Sequence, residues 1–278
     1  MEATPGIEPG FTDLQSAASP LRHVASRLVS NRAGRAYNRD CSAEKAALFR
    51  PGAPPITDFM LQTMLAARTN MIDAQIRSAD VTDPRIHAAM AAVARERFVP
   101  GNKRALAYAD VPVEVAPGRF LLDPRSFAKA LQLAEVTAQD RVLDVGCATG
   151  YSSAVLARLA NSVIALEQDA DLVRIASEAL ALADGNIEVT QGSLIEGFKM
   201  GGPYDLILVN GAIPARPDTL LGQLAEGGRL VAFLEGGAGV AGRATLYVRE
   251  HGAIGSRPGF DATVPLLAGF RKSQGFIF

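Results

Sequence analysis

The chain has 278 residues, 48% hydrophobic and 21% charged, and a net charge of −1 from 28 basic and 29 acidic residues. This is a globular composition with enough apolar material for a core, and the balanced charge gives no global reason to bind nucleic acid or an anionic membrane. Two cysteines and three isolated histidines leave no basis for a disulfide framework or a metal centre.

No apolar run is long enough to span a bilayer, and Met1–Gly10 carries acids and prolines where an export signal needs a basic start, so the expected compartment is the cytoplasm. Residues 1–58 are rich in proline and glycine without periodicity and read as a disordered leader. A second reading is a start assigned upstream of the true one. Gly6-Ile7-Glu8-Pro9 can be encoded by GGAATCGAACCC, whose reverse complement looks like the T-arm of a transfer RNA gene. The protein would then begin at Met60, Met64 or Met71. N-terminal sequencing of the natively expressed protein separates the two, because a peptide spanning Gly6–Arg22 would end the second reading.

Order is expected from Phe59. Met60, Met64, Ala67, Met71 and Ile72 fall at helical spacing. Thr82-Asp83-Pro84 starts a further helix carrying Ile86, Met90 and Val93. Residues 59–125 thus read as a helical cap followed by a loop, and residues 126–278 as a second unit. From Ala138 strands and helices alternate. Strands are expected at 141–145, 162–166, 187–190, 205–209, 229–234, 244–249 and 263–270, and helices at 151–160, 171–183 and 217–224. The pattern predicts an α/β fold, a Rossmann-like, doubly wound and mostly parallel sheet.

Two features carry chemistry. In Asp144-Val145-Gly146-Cys147-Ala148-Thr149-Gly150 a buried strand enters a glycine turn and then a helix, which lets the backbone approach a ligand. The loop matches neither a nucleoside-triphosphate P-loop nor a full GxGxxG, since Ala148 stands at the second glycine. Glu167 ends the next strand about 20 residues on, where an acid grips a ribose diol. Gln191-Gly192-Ser193-Leu194 and Asn210-Gly211-Ala212-Ile213-Pro214 follow the next two strands at the same sheet edge. The bland readings are a packing turn and a surface acid; their joint occurrence in this order disfavours both. Isolated residues are read blandly: His87 as a surface or packing residue, Cys147 as a small group in a tight loop, and Arg243, Arg249 and Arg257 as solvated.

This motif order resembles the class I S-adenosylmethionine-dependent methyltransferases. Met71–Arg77, Asp83–Met90, Arg97-Phe98-Val99-Pro100, Tyr108-Ala109-Asp110-Val111-Pro112 and Gly211-Ala212-Ile213-Pro214 further resemble the protein-L-isoaspartate O-methyltransferases, over about residues 71–250. The resemblance implies S-adenosyl-L-methionine as cofactor, with Asp144, Gly146, Cys147 and Gly150 around its methionine part. It places Glu167 on the ribose, Gln168 against the adenine, and Ser193 and Leu194 in the adenine-edge loop, with Asn210 at the same edge. It also implies a protein or peptide substrate bearing isoaspartate, methylated on its free carboxylate as a step in protein repair.

One segment departs from the family. Its usual Gly-x-Gly-Gln-Thr-Ile-Ser-Gln-Pro stands here as Ala116-Pro117-Gly118-Arg119-Phe120-Leu121-Leu122-Asp123-Pro124. Leu122 replaces a serine hydroxyl and cannot bond a carboxylate. Arg119 and Asp123 are the candidates to serve instead. Two alternatives stay open: a methyltransferase of this fold with another acceptor, and a cofactor-binding homologue without isoaspartyl activity.

Overall fold

The computed structural model describes residues 58–237 and 239–270. The leader and upstream-start readings of residues 1–57 lie outside them.

The N-terminal helical segment holds as expected. Helix α1 (Asp58–Met71) runs on through a π-turn at Ile72–Ile76. Helix α2 (Pro84–Ala92) starts where Asp83 accepts a hydrogen bond from the Arg85 amide and proline fills the first turn. Met71, Ile76, Ile86 and Met90 are buried against the rest of the core.

The divergent segment folds as a hairpin rather than an open loop. Strand β1 (Val113–Ala116) pairs antiparallel with β2 (Arg119–Leu121), and Ala116 faces Arg119 across the Pro117-Gly118 turn. Gly118 has φ +68°, which a glycine adopts without the cost a side chain would bring. Helix α3 (Pro124–Ala134) follows at once, an element that apolar spacing alone had not separated from the loop before it. Asp123 is its N-cap and accepts from the Ser126 amide at 2.8 Å. The helix buries Phe127, Ala128 and Leu131.

The main sheet has seven strands in the order β5-β4-β3-β6-β7-β8-β9. They are β3 (Arg141–Val145), β4 (Ser162–Glu167), β5 (Ile187–Gln191), β6 (Tyr204–Ile213), β7 (Leu224–Leu234), β8 (Arg243–Glu250) and β9 (Ala253–Asp261). The first five are parallel, and β8 and β9 run antiparallel. Helices α4 (Tyr151–Leu156), α5 (Ala170–Leu180) and α6 (Asp218–Leu221) supply crossovers. Val142 feeds one hydrophobic cluster, while Leu143 and Val145 feed another. Both faces of β3 are therefore covered, which explains its continuous apolar run.

The end of the chain corrects the sequence reading. The last strand is β9 at 253–261, not 263–270. β9 is largely exposed and holds Gly255, Pro258 and Gly259, so its edge position hides the alternation that marks a strand. Residues 263–270 are apolar for another reason. They form a single parallel bridge, Ala212 to Leu266, and a short 3-10 turn at Ala268–Phe270. This segment lies alongside the carboxyl end of β6, where it buries Val264, Leu267 and Phe270.

Candidate functional site

The strand order reverses between β3 and β6, and the carboxyl ends of β3, β4 and β6 meet there. An open α/β sheet binds ligands at such a switch point. The glycine loop, Glu167 and Asn210 converge at this edge because adjacent parallel strands end in register: Val145 pairs with Leu166 on one side and Val209 on the other.

Asp144 is fully buried and turned into the fold. It accepts from Ser152 Oγ at 2.6 Å, Ser153 Oγ at 2.5 Å and Asn210 Nδ2 at 2.5 Å. Burial pushes its carboxyl above the ordinary value, while these three donors pull it back. Asp144 and Asn210 thus tie the ends of β3 and β6 to the first turn of α4.

Glu167 is also fully buried, with a different set of partners. Its Oε2 accepts from the Ala148 amide at 3.0 Å, and its Oε1 from the Gln168 and Asp169 amides at 2.8 and 3.3 Å. Ala148 sits at φ +51°, a left-handed conformation that aims its amide at this acid. The remaining partner is the Arg119 guanidinium, which crosses from the hairpin to form a buried ion pair through Nη2.

The two loop glycines have separate uses. A Cβ on Gly146 would stand 3.0 Å from Leu267 Cδ1 and 3.4 Å from Arg119 Nη2, so this glycine faces the site. A Cβ on Gly150 would stand 2.9 Å from Leu180 Cδ1, so Gly150 faces α5 and serves helix packing. The two positions thus face different neighbours, Gly146 the Leu267 and Arg119 side chains and Gly150 the Leu180 side chain.

Cys147 is buried, and burial with the neighbouring acids pushes its thiol well up, which keeps it neutral. Gln168 is exposed beside Glu167, and its Oε1 would lie 2.6 Å from a Cβ on Gly269. Leu194 is buried in the hydrophobic cluster that includes Leu166 and Leu267. Ser193 is exposed, and its hydroxyl accepts from the Glu196 amide at 3.4 Å. Leu122 is buried, and its carbonyl accepts from Arg95. Asp123 is committed to capping α3, as described above.

Arg95 is the residue that sequence reasoning passed over. It is completely buried, donates to the Ala107 and Leu122 carbonyls at 2.7 and 2.6 Å, and lies 4.5 Å from the Tyr151 ring centre. Burial pulls its guanidinium below the ordinary value. Its neighbours give little local signal, since Arg95 stands in the charged run Arg95-Glu96-Arg97 ahead of Phe98. Thr149 adds a second tie, donating from the glycine loop to the Phe98 carbonyl at 2.6 Å.

Between the hairpin and the glycine loop lies a cavity lined by Arg95, Phe120, Leu122, Gly146, Cys147 and Tyr151, among others, with a volume of only about 10 Å³. One water needs about that much. A cavity at the opposite ends of β3 and β4, beside Arg141 and Ser162, measures about 170 Å³. Beside Gly146 the Arg119 and Leu267 side chains stand close to the backbone. The Ala212 amide donates to the Pro265 carbonyl and the Leu267 amide to the Ala212 carbonyl, each at 2.8 Å, which seats the C-terminal segment over Gly146. Among the described residues no group of three or more His, Cys, Asp and Glu is arranged to hold a metal, and no helix is long and apolar enough to cross a membrane.

The donor set fits a nucleoside-bearing ligand. A buried carboxylate stands at a strand tip, a left-handed glycine lies in the adjoining turn, and the Leu267 side chain packs against that glycine. Fold and site together define a doubly wound domain of the class I methyltransferase type.

The profile of the protein-L-isoaspartate(D-aspartate) O-methyltransferase (PCMT) family matches residues 66–251, and the chain belongs to that family. It is 39% identical over 180 residues to the protein-L-isoaspartate O-methyltransferase of Koribacter versatilis, covering 64% of this chain and 79% of that one. To protein-L-isoaspartate O-methyltransferase 1 of Rhodopseudomonas palustris it is 40% identical over 179 residues, covering 64% and 73%. A solved structure from Plasmodium falciparum, described as a beta-aspartate methyltransferase in complex with S-adenosyl-L-homocysteine, shares the fold. It superposes with a TM-score of 0.59 at 22% identity, over 74% of this chain and 97% of that one.

Proposed function

We propose that this protein transfers the methyl group of S-adenosyl-L-methionine to the free carboxylate of L-isoaspartyl residues in protein or peptide substrates, as a step in protein repair. Membership of the family across residues 66–251 carries the reading, since that span holds the glycine loop, Glu167 and the hairpin. When bound, S-adenosyl-L-methionine supplies a methyl group already activated on a sulfonium. This chain's residues then have to bind, orient and exclude water. Glu167 is the acid for the ribose hydroxyls, Gln168 and Leu194 flank the adenine position, and Gly146 leaves room for the methionine part. Ser193 lies at the rim.

A carboxylate acceptor is ionised at neutral pH and needs no general base. The cavity lining agrees with that chemistry, for it contains neither His nor Lys, and the Cys147 thiol is held neutral. The proposed place of action is the cytoplasm. Leu122 supports a second reading, transfer to a different acid, because its buried side chain gives an acceptor no hydrogen bond.

The test is transfer of labelled methyl from S-adenosyl-L-methionine to an isoaspartyl peptide beside its aspartyl control. Base-labile label on the isoaspartyl peptide alone is the expected result. Equal labelling of both peptides, or none while S-adenosyl-L-homocysteine binds, overturns the substrate assignment.

A further inference from the structure

The Arg119–Glu167 pair is lopsided. Glu167 is satisfied without the arginine, since three backbone amides already donate to its two oxygens. Arg119 is not satisfied by the acid. It contacts one oxygen through Nη2, while Nη1 is buried with no partner. A guanidinium is a planar fork suited to two parallel hydrogen bonds with one carboxylate. Here half of that fork is idle in a side chain only 6% exposed. Glu167 cannot complete it, because its second oxygen belongs to the Gln168 and Asp169 amides.

The position of the arginine matters as well. Arg119 follows the Pro117-Gly118 turn, so its backbone belongs to a short two-stranded sheet apart from the main one. Its side chain lies between the acid and the Gly146 turn. The ribose diol assigned to Glu167 and the Nη2 of Arg119 need the same carboxylate oxygen.

We propose that Arg119 is the residue that binds the acceptor's carboxylate, and that it rests on Glu167 only until the cofactor's ribose takes that acid. This deepens the function proposed above and rests on it. Exchange is favourable on both sides. Glu167 keeps its three amides and gains hydroxyl donors, while Arg119 gives up a one-point contact and gains a carboxylate that meets both arms of its fork. Binding is then ordered, cofactor before acceptor. The arginine also supplies the acceptor contact that Leu122 cannot.

Two variants test this, with S-adenosyl-L-homocysteine binding read by calorimetry and methyl transfer to an isoaspartyl peptide read as KM and kcat. Arg119→Met removes the competitor for Glu167 and the acceptor ligand together. It should bind S-adenosyl-L-homocysteine about tenfold tighter and raise the peptide KM about tenfold, the scale of one charge-assisted hydrogen bond. Arg119→Lys keeps the charge and loses the fork, so its peptide KM should rise while its S-adenosyl-L-homocysteine affinity stays near the parent's. Opposite movement of the two constants in Arg119→Met is the signature, since a residue that merely supports the fold would weaken both. If Arg119→Met does not fold, an unchanged peptide KM in Arg119→Lys overturns the proposal and a raised one supports it. Unchanged constants, or loss of both together in folded protein, also overturn it while leaving the proposed function standing. Failure of parent and variants alike to bind S-adenosyl-L-homocysteine removes the function itself.

Discussion

The ends of β3 and β4 carry two buried acids, Asp144 and Glu167, both fully inaccessible to solvent. Their partners set them apart. Asp144 is held by side chains of α4 and β6, all part of the sheet-and-helix framework. Glu167 is held by its own turn, the adjoining glycine loop and one arginine from a separate hairpin. Every side-chain donor to Asp144 belongs to the framework, whereas one donor to Glu167 comes from the hairpin. The exchange proposed above is open to Glu167 for that reason, and not to Asp144. Burial alone does not separate the two cases; the origin of the donors does.

Asp144→Ala should have the largest effect, because it removes the acceptor of the buried Ser152 and Ser153 hydroxyls and leaves the Asn210 amide only its longer bond to the Val145 carbonyl. A loss of about 3 kcal/mol of stability is expected, measured by urea denaturation. A loss near zero would erase the distinction between the two acids.

Glu167→Gln should act on binding instead. Its amide oxygen still accepts from the turn, but the charge is gone. Calorimetry should show S-adenosyl-L-homocysteine affinity reduced about tenfold or more, with a smaller shift in urea midpoint than for Asp144→Ala. An unchanged affinity would move the ribose away from this acid.

The two glycines sharpen the same contrast. Gly150→Ala meets Leu180 at 2.9 Å and forces φ +97° on a side chain, so it should cost about 1–3 kcal/mol of stability with little change in ligand affinity. Gly146→Ala, whose Cβ faces Leu267 and Arg119, should change affinity as well. Identical profiles for the two variants would contradict this assignment.

Cys147 should show the smallest effect of all. A raised thiol pKa means less thiolate at a given pH, so iodoacetamide at pH 8 should leave Cys147 unmodified in the folded protein and alkylate it in urea. Mass spectrometry of the Cys147 peptide reads the outcome, and rapid labelling of the native protein would show that the loop opens.

The parallel core of the sheet was legible from the residues alone, and so were the glycine turn and acid on which the proposed site rests. Covered parallel strands read as continuous apolar runs, and a glycine turn followed by an acid at the next strand tip is local chemistry. The helical segment before them was equally legible from apolar spacing and from Asp83-Pro84. Helix α3 was not, because its Asp123 cap and Pro124 adjoin the hairpin without a break in composition. Nor was the last strand, since β9 lies at an exposed edge and residues 263–270 are apolar for contacts alongside the end of β6. Only the tertiary structure separated Asp144 from Glu167 and Gly146 from Gly150, and only it brought Arg119 to an acid 48 residues away. Those assignments depend on which side chains meet across elements. A linear sequence fixes the donors and acceptors available but not which of them packing leaves within reach.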